Sequence, residues 1–428
     1  MKIFRILFIL FILLPGLTLA QESKLYKFLK AIPGAEVVKK DTSVFNEFYI
    51  LMLPQAVDHN NPKGPSFRQR IFVGHVGFGK PTVMQTEGYD AGWVSSGTMS
   101  EPTKLLGANQ LYVEHRYFGA SIPNPVDWKY LTAEQDAGDY HYIRAVFGKL
   151  YTGKWIATGV SKGGQTALCY RAYYPNDVDV TVAYVAPINF AVEDRRLNAR
   201  IKKMGDAVCQ KKILDFQFKL LKNKDYFISA FAEYCKKKEL TLILDSETSF
   251  DYEVLEYPFG FWQYGTPCDS IPDTNASNET ILKHLVEVVT PFYYTAVGVN
   301  FFKPFFYQAN YELGYYGYDE KPFRKYLKQS DYPNTIWGPT GKIMPYNAKT
   351  MKFVNHFLQN EGNQIIYIYG ENDPWSASQV KLKGKTDALK VVIAKGDHSA
   401  DISLMSETQR EEVYEKLEKW LGVEITAK

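Results

Sequence analysis

Gly159-Val-Ser161-Lys-Gly163 is the part of this chain whose residue types and spacing could do chemistry. It follows an apolar run, Trp155–Gly159, and precedes a helical stretch beginning Gln165-Thr-Ala-Leu. A strand, a Gly-x-Ser-x-Gly turn and a helix in that order put a serine on a sharp turn. Side chains two positions to either side would clash there, which is why glycines flank it. The turn exposes the Ser161 hydroxyl. The first N–H groups of the following helix, that of Lys162 foremost, and the positive end of its dipole face a developing oxyanion. The chemistry implied is acyl transfer to a serine nucleophile.

A serine hydroxyl needs a base, and the base needs an orienting acid. When the serine sits on such an elbow, the acid and then the histidine follow it along the chain. Of the seven histidines, only His284, His356 and His398 come after Ser161. His284 and His356 lie in helical stretches, where a histidine is more often a surface or packing residue. His398 lies in Lys395-Gly-Asp-His398-Ser399, directly after the apolar run Leu389–Ala394. A sheet delivers loop residues to a site at that edge. Asp373, in Gly370-Glu-Asn-Asp373-Pro-Trp375, holds the equivalent position one strand earlier, with Gly370 and Pro374 shaping a tight turn. Glu371 and Asp397 are nearby alternatives, but an acid adjacent to His398 in sequence tends to point away from its imidazole. The triad expected is Ser161, Asp373 and His398. A second oxyanion donor is expected from the loop beyond Ile71–Val76, at the backbone N–H of Tyr89 or Gly88.

These residues must be held by a sheet. From about 44 to 190, short β-branched or aromatic runs alternate with helical stretches, the pattern of parallel strands joined by crossover helices. The runs are Phe45–Leu53, Ile71–Val76, Gln110–Glu114, Trp155–Gly159 and Val180–Val185. Two more, Gln364–Tyr369 and Leu389–Ala394, precede a closing amphipathic helix around Ser406–Leu421. Between these groups the chain changes character. It is helical and charged over Glu193–Lys222 and Asp225–Lys238, then aromatic and turn-rich around Tyr257–Tyr264 and Phe301–Tyr318. The expected organisation is a first α/β part over 21–190, a mainly helical cap inserted over 191–355, and a second α/β part over 356–428. The insertion falls between the strand after the nucleophile helix and the strand bearing the acid.

Composition narrows the partners. The chain has 428 residues, 46% hydrophobic and 23% charged, enough for more than one sizeable core. Its net charge of +3 is too small to neutralise a phosphate backbone, so nucleic acid is not an expected partner. Residues 1–20 carry Lys2 and Arg5, the apolar run Ile6–Leu14, Pro15-Gly16, and small residues at Thr18 and Ala20. They read as a secretory signal peptide cleaved after Ala20. That apolar run is far shorter than the ~20 residues that span a bilayer, so no stable membrane insertion is expected after cleavage. In an oxidising compartment Cys209, Cys235 and Cys268 are candidates for a bridge, with Cys169 a buried free thiol. No histidine or cysteine cluster has metal-ligand spacing, and neither a metal nor a cofactor is expected.

The ordered set of motifs resembles the secreted serine exopeptidases of the prolyl-carboxypeptidase and dipeptidyl-peptidase II group. It resembles more closely the bacterial secreted tripeptidyl aminopeptidase family. The stretches that carry the resemblance include Thr86-Glu-Gly-Tyr89, Glu114-His-Arg-Tyr-Phe-Gly119, Gly159-Val-Ser-Lys-Gly-Gly164, Tyr307-Gln-Ala-Asn-Tyr-Glu-Leu-Gly314, Gly370-Glu-Asn-Asp-Pro-Trp375 and Gly396-Asp-His398. It implies an α/β-hydrolase with a helical cap that removes short peptides from free N-termini, often after Pro.

A carboxylate facing the cleft could pair with the substrate's protonated α-amine and so measure distance from the N-terminus. Glu312 and then Glu87 are the candidates, each weighed against an ordinary solvated or structurally paired acid. Trp262, Tyr264, Phe301, Phe302 and Trp375 are candidates to line a Pro-accepting pocket. Glu114, His115 and Arg116 read as a buried polar network behind the nucleophile. The fold alone leaves open a carboxylesterase or lipase, and a catalytically silent secreted binding protein.

Overall fold

Runs such as Val180–Tyr184 and Ile365–Gly370, apolar on both faces, form the middle of a nine-stranded sheet in the computed structural model, which describes residues 22–339 and 345–425. The strands are β1 (Glu36–Lys40), β2 (Glu47–Ala56), β3 (Ser66–His75), β4 (Thr82–Thr86), β5 (Asn109–Val113), β6 (Trp155–Val160), β7 (Val180–Tyr184), β8 (Ile365–Gly370) and β9 (Leu389–Ile393). Their order is β1-β2-β3-β5-β4-β6-β7-β8-β9. The helices are α1 (Lys24–Lys30), α2 (Glu101–Leu106), α3 (Ala133–Phe147), α4 (Lys162–Tyr173), α5 (Arg195–Ile201), α6 (Ala207–Lys222), α7 (Lys224–Lys237), α8 (Ser246–Gln263), α9 (Asn278–Val288), α10 (Ala296–Gln308), α11 (Ala348–Asn360) and α12 (Glu407–Leu421).

Alternation along the central strands assigns the two faces. Val180, Val182, Ile366 and Ile368 pack against Val413 and Leu417 of α12 and Leu105 of α2. On the other face Met84, Leu111 and Ala157 meet Tyr140, Ile143 and Phe147 of α3. Ala183, Tyr367 and Tyr369 meet Leu168 of α4 and Val354 of α11. Helices thus cover both faces of the sheet, and the expected α/β-hydrolase is the architecture observed.

Three expectations are corrected. The sheet is not parallel throughout, since β1, β2 and β3 run antiparallel to their neighbours and β3 pairs antiparallel with β5. β2 and β3 form a hairpin closed where the Val57 N–H donates to the Pro65 carbonyl at 2.9 Å. Thr82–Thr86 is a buried strand between β5 and β6, so the loop carrying Gly88 and Tyr89 follows β4 rather than Ile71–Val76. The boundary expected at 355 falls inside α11, whose Met351, Val354 and Phe357 belong to the core under the sheet. The expected signal peptide, 1–20, lies outside the described residues.

The cap leaves the sheet after β7 and returns before β8, and those two strands are immediate neighbours, with Thr181 opposite Ile365. It has its own core, in which Phe216, Phe231, Phe250, Tyr257 and Phe261 meet Leu285 and Trp337. The stretch Tyr257–Tyr264, read from sequence as turn-rich, is instead mostly the C-terminal half of the 18-residue α8, with Pro258 inside the helix. Burial of Tyr257, Phe259 and Phe261 outweighs the ~3 kcal/mol that an interior proline costs.

Cys209 in α6 is bridged to Cys268 beyond α8, while Cys169 and Cys235 are buried free thiols. The bridge closes a loop with a sequence separation of 59. Replacing Cys209 and Cys268 together by Ser is expected to cost about 4 kcal/mol, read as a lower unfolding midpoint, and dithiothreitol should move the wild type the same way. Identical midpoints in all these conditions would exclude the pairing.

Candidate functional site

Ser161 directly follows β6 and has φ 56° and ψ −122°, a conformation most side chains avoid. The reason it can form lies in its neighbours. A Cβ on Gly159 would drive into the Gly163 carbonyl, and one on Gly163 would stand 2.5 Å from the Thr86 carbonyl oxygen. The Thr86 hydroxyl is within hydrogen-bond distance of the carbonyls of Thr158 (3.0 Å) and Gly163 (2.8 Å), tying β4 to the elbow. The Ser161 N–H donates to the Tyr184 carbonyl at 2.8 Å, which fixes the other side.

β8 and β9 deliver the acid and the imidazole. The loop after β8 places Asp373 fully buried, and Lys395 at φ 58° turns the chain after β9 toward His398. The two loops are joined where the Asn372 N–H donates to the Gly396 carbonyl at 2.6 Å. His398 Nδ1 is 2.8 Å from Asp373 Oδ2, and its Nε2 is 2.8 Å from Ser161 Oγ. A carboxylate can only accept, so Nδ1 carries the proton and Nε2 is left to accept from the serine hydroxyl. The other Asp373 oxygen accepts the Trp375 N–H at 3.0 Å. An acyl-transfer triad needs this geometry.

The cap also holds these loops. The His398 N–H donates to the carbonyl of Gln263 in α8 at 3.1 Å, and the side-chain oxygen of Gln263 accepts the Trp375 indole N–H at 3.0 Å. Arg200 of α5 donates to the Asp373 carbonyl at 3.1 Å and to that of Glu371.

Gly88 and Tyr89 directly follow β4. The Gly88 backbone lies against the first turn of α4, where a Cβ would stand 2.8 Å from the Gly163 nitrogen. Glu87, just before them, accepts the Tyr112 hydroxyl at 2.7 Å. Burial raises its carboxyl above the ordinary range, opposed by Tyr112, the Gly88 and Tyr89 N–H groups and the Lys162 charge. Lys162 Nζ is 3.0 Å from His115 Nε2, and that nitrogen is 3.0 Å from Asp136. Burial pushes the Lys162 ammonium down to about 8, against the attraction of Asp136. Arg116 is paired to Asp139 at 2.7 Å and Glu114 is held by Arg70, so Glu114, His115 and Arg116 form a buried polar network.

Ser161 and His398 open into a cavity of about 460 Å³, within the ~300–1,000 Å³ of small-ligand pockets. The cap roofs it through α8 and α10. Tyr264, Phe301, Phe302 and Trp375 line it as expected, and so does Glu87. Trp262 does not, being buried in the cap core beside Gly205.

Glu312 is likewise outside the cavity. It is buried under the sheet-proximal end of the cap, where its oxygens accept the Ala133 N–H at 2.6 Å and the Thr350 hydroxyl at 2.7 Å. The aromatic residues around it pack a helix rather than a cleft, so it does not serve as an amine partner.

The sequence reading missed Glu256, Gly260 and Gln263, which line the cavity. Their spacing of four and three residues marks one face of a helix. The signal was there once Tyr257–Tyr264 is taken as helical. Among the described residues no group of His, Cys, Asp and Glu is arranged to hold a metal ion, and no helix is long and apolar enough to cross a membrane.

A sequence profile described as PS-10 peptidase S37 matches residues 21–428. A prolyl tri/tetrapeptidyl aminopeptidase from Streptomyces mobaraensis is 30% identical over 405 residues, covering 92% of this chain and 84% of its own. The lysosomal Pro-X carboxypeptidase of Homo sapiens is 24% identical over 473 residues, covering 93% of this chain and 91% of its own. A solved proline iminopeptidase from Mycobacterium smegmatis aligns over 86% of this chain and 98% of its own, with 10% identity and a TM-score of 0.40.

Burial pushes the Glu312 carboxyl up from 4.5 to about 7. The folded chain therefore holds a proton that the unfolded chain releases. The associated stability is complete below pH 4.5 and is lost as the pH rises through 7. Glu312→Gln carries no such proton. Relative to wild type, the variant should gain up to about 3 kcal/mol between pH 4.5 and pH 8, read from denaturant midpoints across that range. A difference that stays flat with pH would contradict this account.

Proposed function

The chain belongs to the PS-10 peptidase S37 family and is a serine peptidase of the α/β-hydrolase type, and from that premise we propose that it is a secreted exopeptidase releasing tri- or tetrapeptides from free N-termini, with cleavage favoured after Pro. The observation that carries the reading is the hydrogen-bonded chain Asp373–His398–Ser161, with 2.8 Å at each link, inside a roofed cavity.

In this mechanism Ser161 Oγ attacks the scissile carbonyl while His398 Nε2 takes its proton. The protonated imidazole is held by Asp373 and returns the proton to the leaving amine as the C–N bond breaks. The oxyanion accepts from the Lys162 N–H and from that of Tyr89 or Gly88. Water, deprotonated by His398, then opens the acyl-enzyme and restores Ser161. No step requires a cofactor.

Three further observations support the finer parts of the reading. The cap roof restricts entry to a peptide end or a disordered segment. Aromatic side chains beside Trp375 suit a flat, apolar proline ring. Export is supported by the character of residues 1–20 and by the Cys209–Cys268 bridge, which belongs in an oxidising compartment.

Ser161→Ala is expected to lower kcat on a peptidyl-Pro anilide by about four to six orders of magnitude and to abolish labelling by a fluorophosphonate. The unfolding midpoint should stay within about 1 kcal/mol of wild type. Turnover near wild type would remove Ser161 from the mechanism. A wild type that hydrolyses a p-nitrophenyl acyl ester but no peptide would make the protein an esterase.

A further inference from the structure

Three carboxylates line the cavity that holds Ser161 and His398, namely Glu87, Asp90 and Glu256. Asp90 lies 3.6 Å from Arg70, and Glu87 has the Tyr112 hydroxyl and the Lys162 charge. Glu256 differs from both. Among the described residues no Lys, Arg or His is paired with it, and its partners are phenols. Its Oε1 accepts the Tyr316 hydroxyl at 2.6 Å. The Tyr318 hydroxyl stands beside it and donates its proton to Asn334 Oδ1 at 3.0 Å. A phenol can orient a carboxylate but cannot neutralise it. Burial accordingly pushes its carboxyl up to about 7, so the position favours whatever brings a positive charge to it.

The site is also the right shape for a cation carried on a chain. Glu256, Gly260 and Gln263 share one face of α8. Gly260 and Gln263 lead along the cavity toward the loop of His398, whose N–H bonds to Gln263. Tyr316, the partner of Glu256, stacks on Phe259 at 3.7 Å and meets Trp375 at 5.6 Å. Trp375 in turn lies 6.4 Å from the imidazole of His398. Glu256 is thus two ring contacts away from the reacting atoms, at the roof of the same cavity. The aromatic faces around it add to the attraction for an ammonium group.

We propose that Glu256, oriented by Tyr316, binds the protonated α-amine of the peptide substrate and so fixes how many residues lie between the N-terminus and Ser161. The inference rests on the exopeptidase reading above, and it assigns to Glu256 the role for which Glu312 and Glu87 were considered from sequence. A salt bridge formed inside a roofed cavity discriminates strongly, because a blocked amine leaves the carboxylate without its counter-charge. The carboxylate therefore acts as a ruler. Peptides whose amine cannot reach Glu256 while the scissile carbonyl reaches Ser161 are held poorly.

The test compares a tripeptidyl-Pro anilide with a free amine against its N-acetylated form, in the wild type, Glu256→Gln and Glu256→Asp. In the wild type kcat/KM should favour the free amine by roughly 10- to 100-fold. Glu256→Gln should bring that ratio close to one, chiefly through a higher KM for the free peptide. Glu256→Asp, which keeps the charge, should retain part of the preference. Fluorophosphonate labelling of each protein reports whether the triad is assembled. A wild type that labels but cleaves free and acetylated peptides equally overturns the proposal and leaves the serine peptidase intact. A labelled Glu256→Gln with the wild-type ratio overturns it too. If Glu256→Gln fails to label, a labelled Glu256→Asp decides: a ratio above one but below that of the wild type is the expected result, and a ratio equal to the wild type's overturns the proposal. Failure of the wild type to cleave either peptide, by contrast, would sink the exopeptidase reading itself.

Discussion

The left-handed backbone of Ser161 is the constraint from which the rest of the site follows. A non-glycine residue held there costs on the order of 1–3 kcal/mol and persists only where surrounding structure leaves it no alternative. That surrounding structure is the β4–β6–β7 part of the sheet. Thr86 at the end of β4 bonds into the elbow, Tyr184 at the end of β7 accepts the serine N–H, and bare backbone at Gly88, Gly159 and Gly163 lets three segments pass within contact of one another. Any methyl group among them would push α4 away from β4. The exposed hydroxyl is therefore a product of close packing several residues away, and it is as rigid as the sheet is.

The cap takes part in that rigidity. Gln263 and Arg200 belong to the inserted segment, yet they bond to the backbone of the two loops that carry His398 and Asp373. Trp375 joins both sides, with its N–H on Asp373 and its indole on Gln263. The imidazole is thereby positioned from above as well as from the sheet. Movement of α8 would be felt at His398, at Asp373 and at the aromatic wall together, which couples the shape of the cavity to the alignment of the Asp373–His398–Ser161 chain.

Much of this was legible in the residues because the decisive signals are local. Gly159 to Gly163 carry their own steric reason, and Asp373 and His398 each follow a short, mostly apolar run. Long-range and edge features were not legible. β1, Glu-Val-Val-Lys-Lys, is an exposed polar edge that no alternation marks, and the five residues of β4 are all buried, so they show no period. The β2–β3 hairpin lacks a tight two-residue turn, so nothing local speaks against the parallel reading that the structure corrects. Glu312 was drawn into the cleft by its aromatic neighbours, although only packing decides whether tyrosines line a wall or fill a core. Glu256 stands directly before Tyr257–Tyr264, a stretch that reads as turn-rich and that tertiary burial holds helical.

The adjacency of β7 and β8 has a consequence for how the molecule must be assembled. As the chain emerges from its N-terminus, the first seven strands can pair, but β7, Val-Thr-Val-Ala-Tyr, then presents an apolar, unpaired edge until β8 and β9 arrive from beyond the whole cap. Such an edge recruits other strands as readily as its own. Safe maturation accordingly depends on the inserted helices condensing early enough to bring the two ends of the detour together, and on something shielding the half-built sheet until they do.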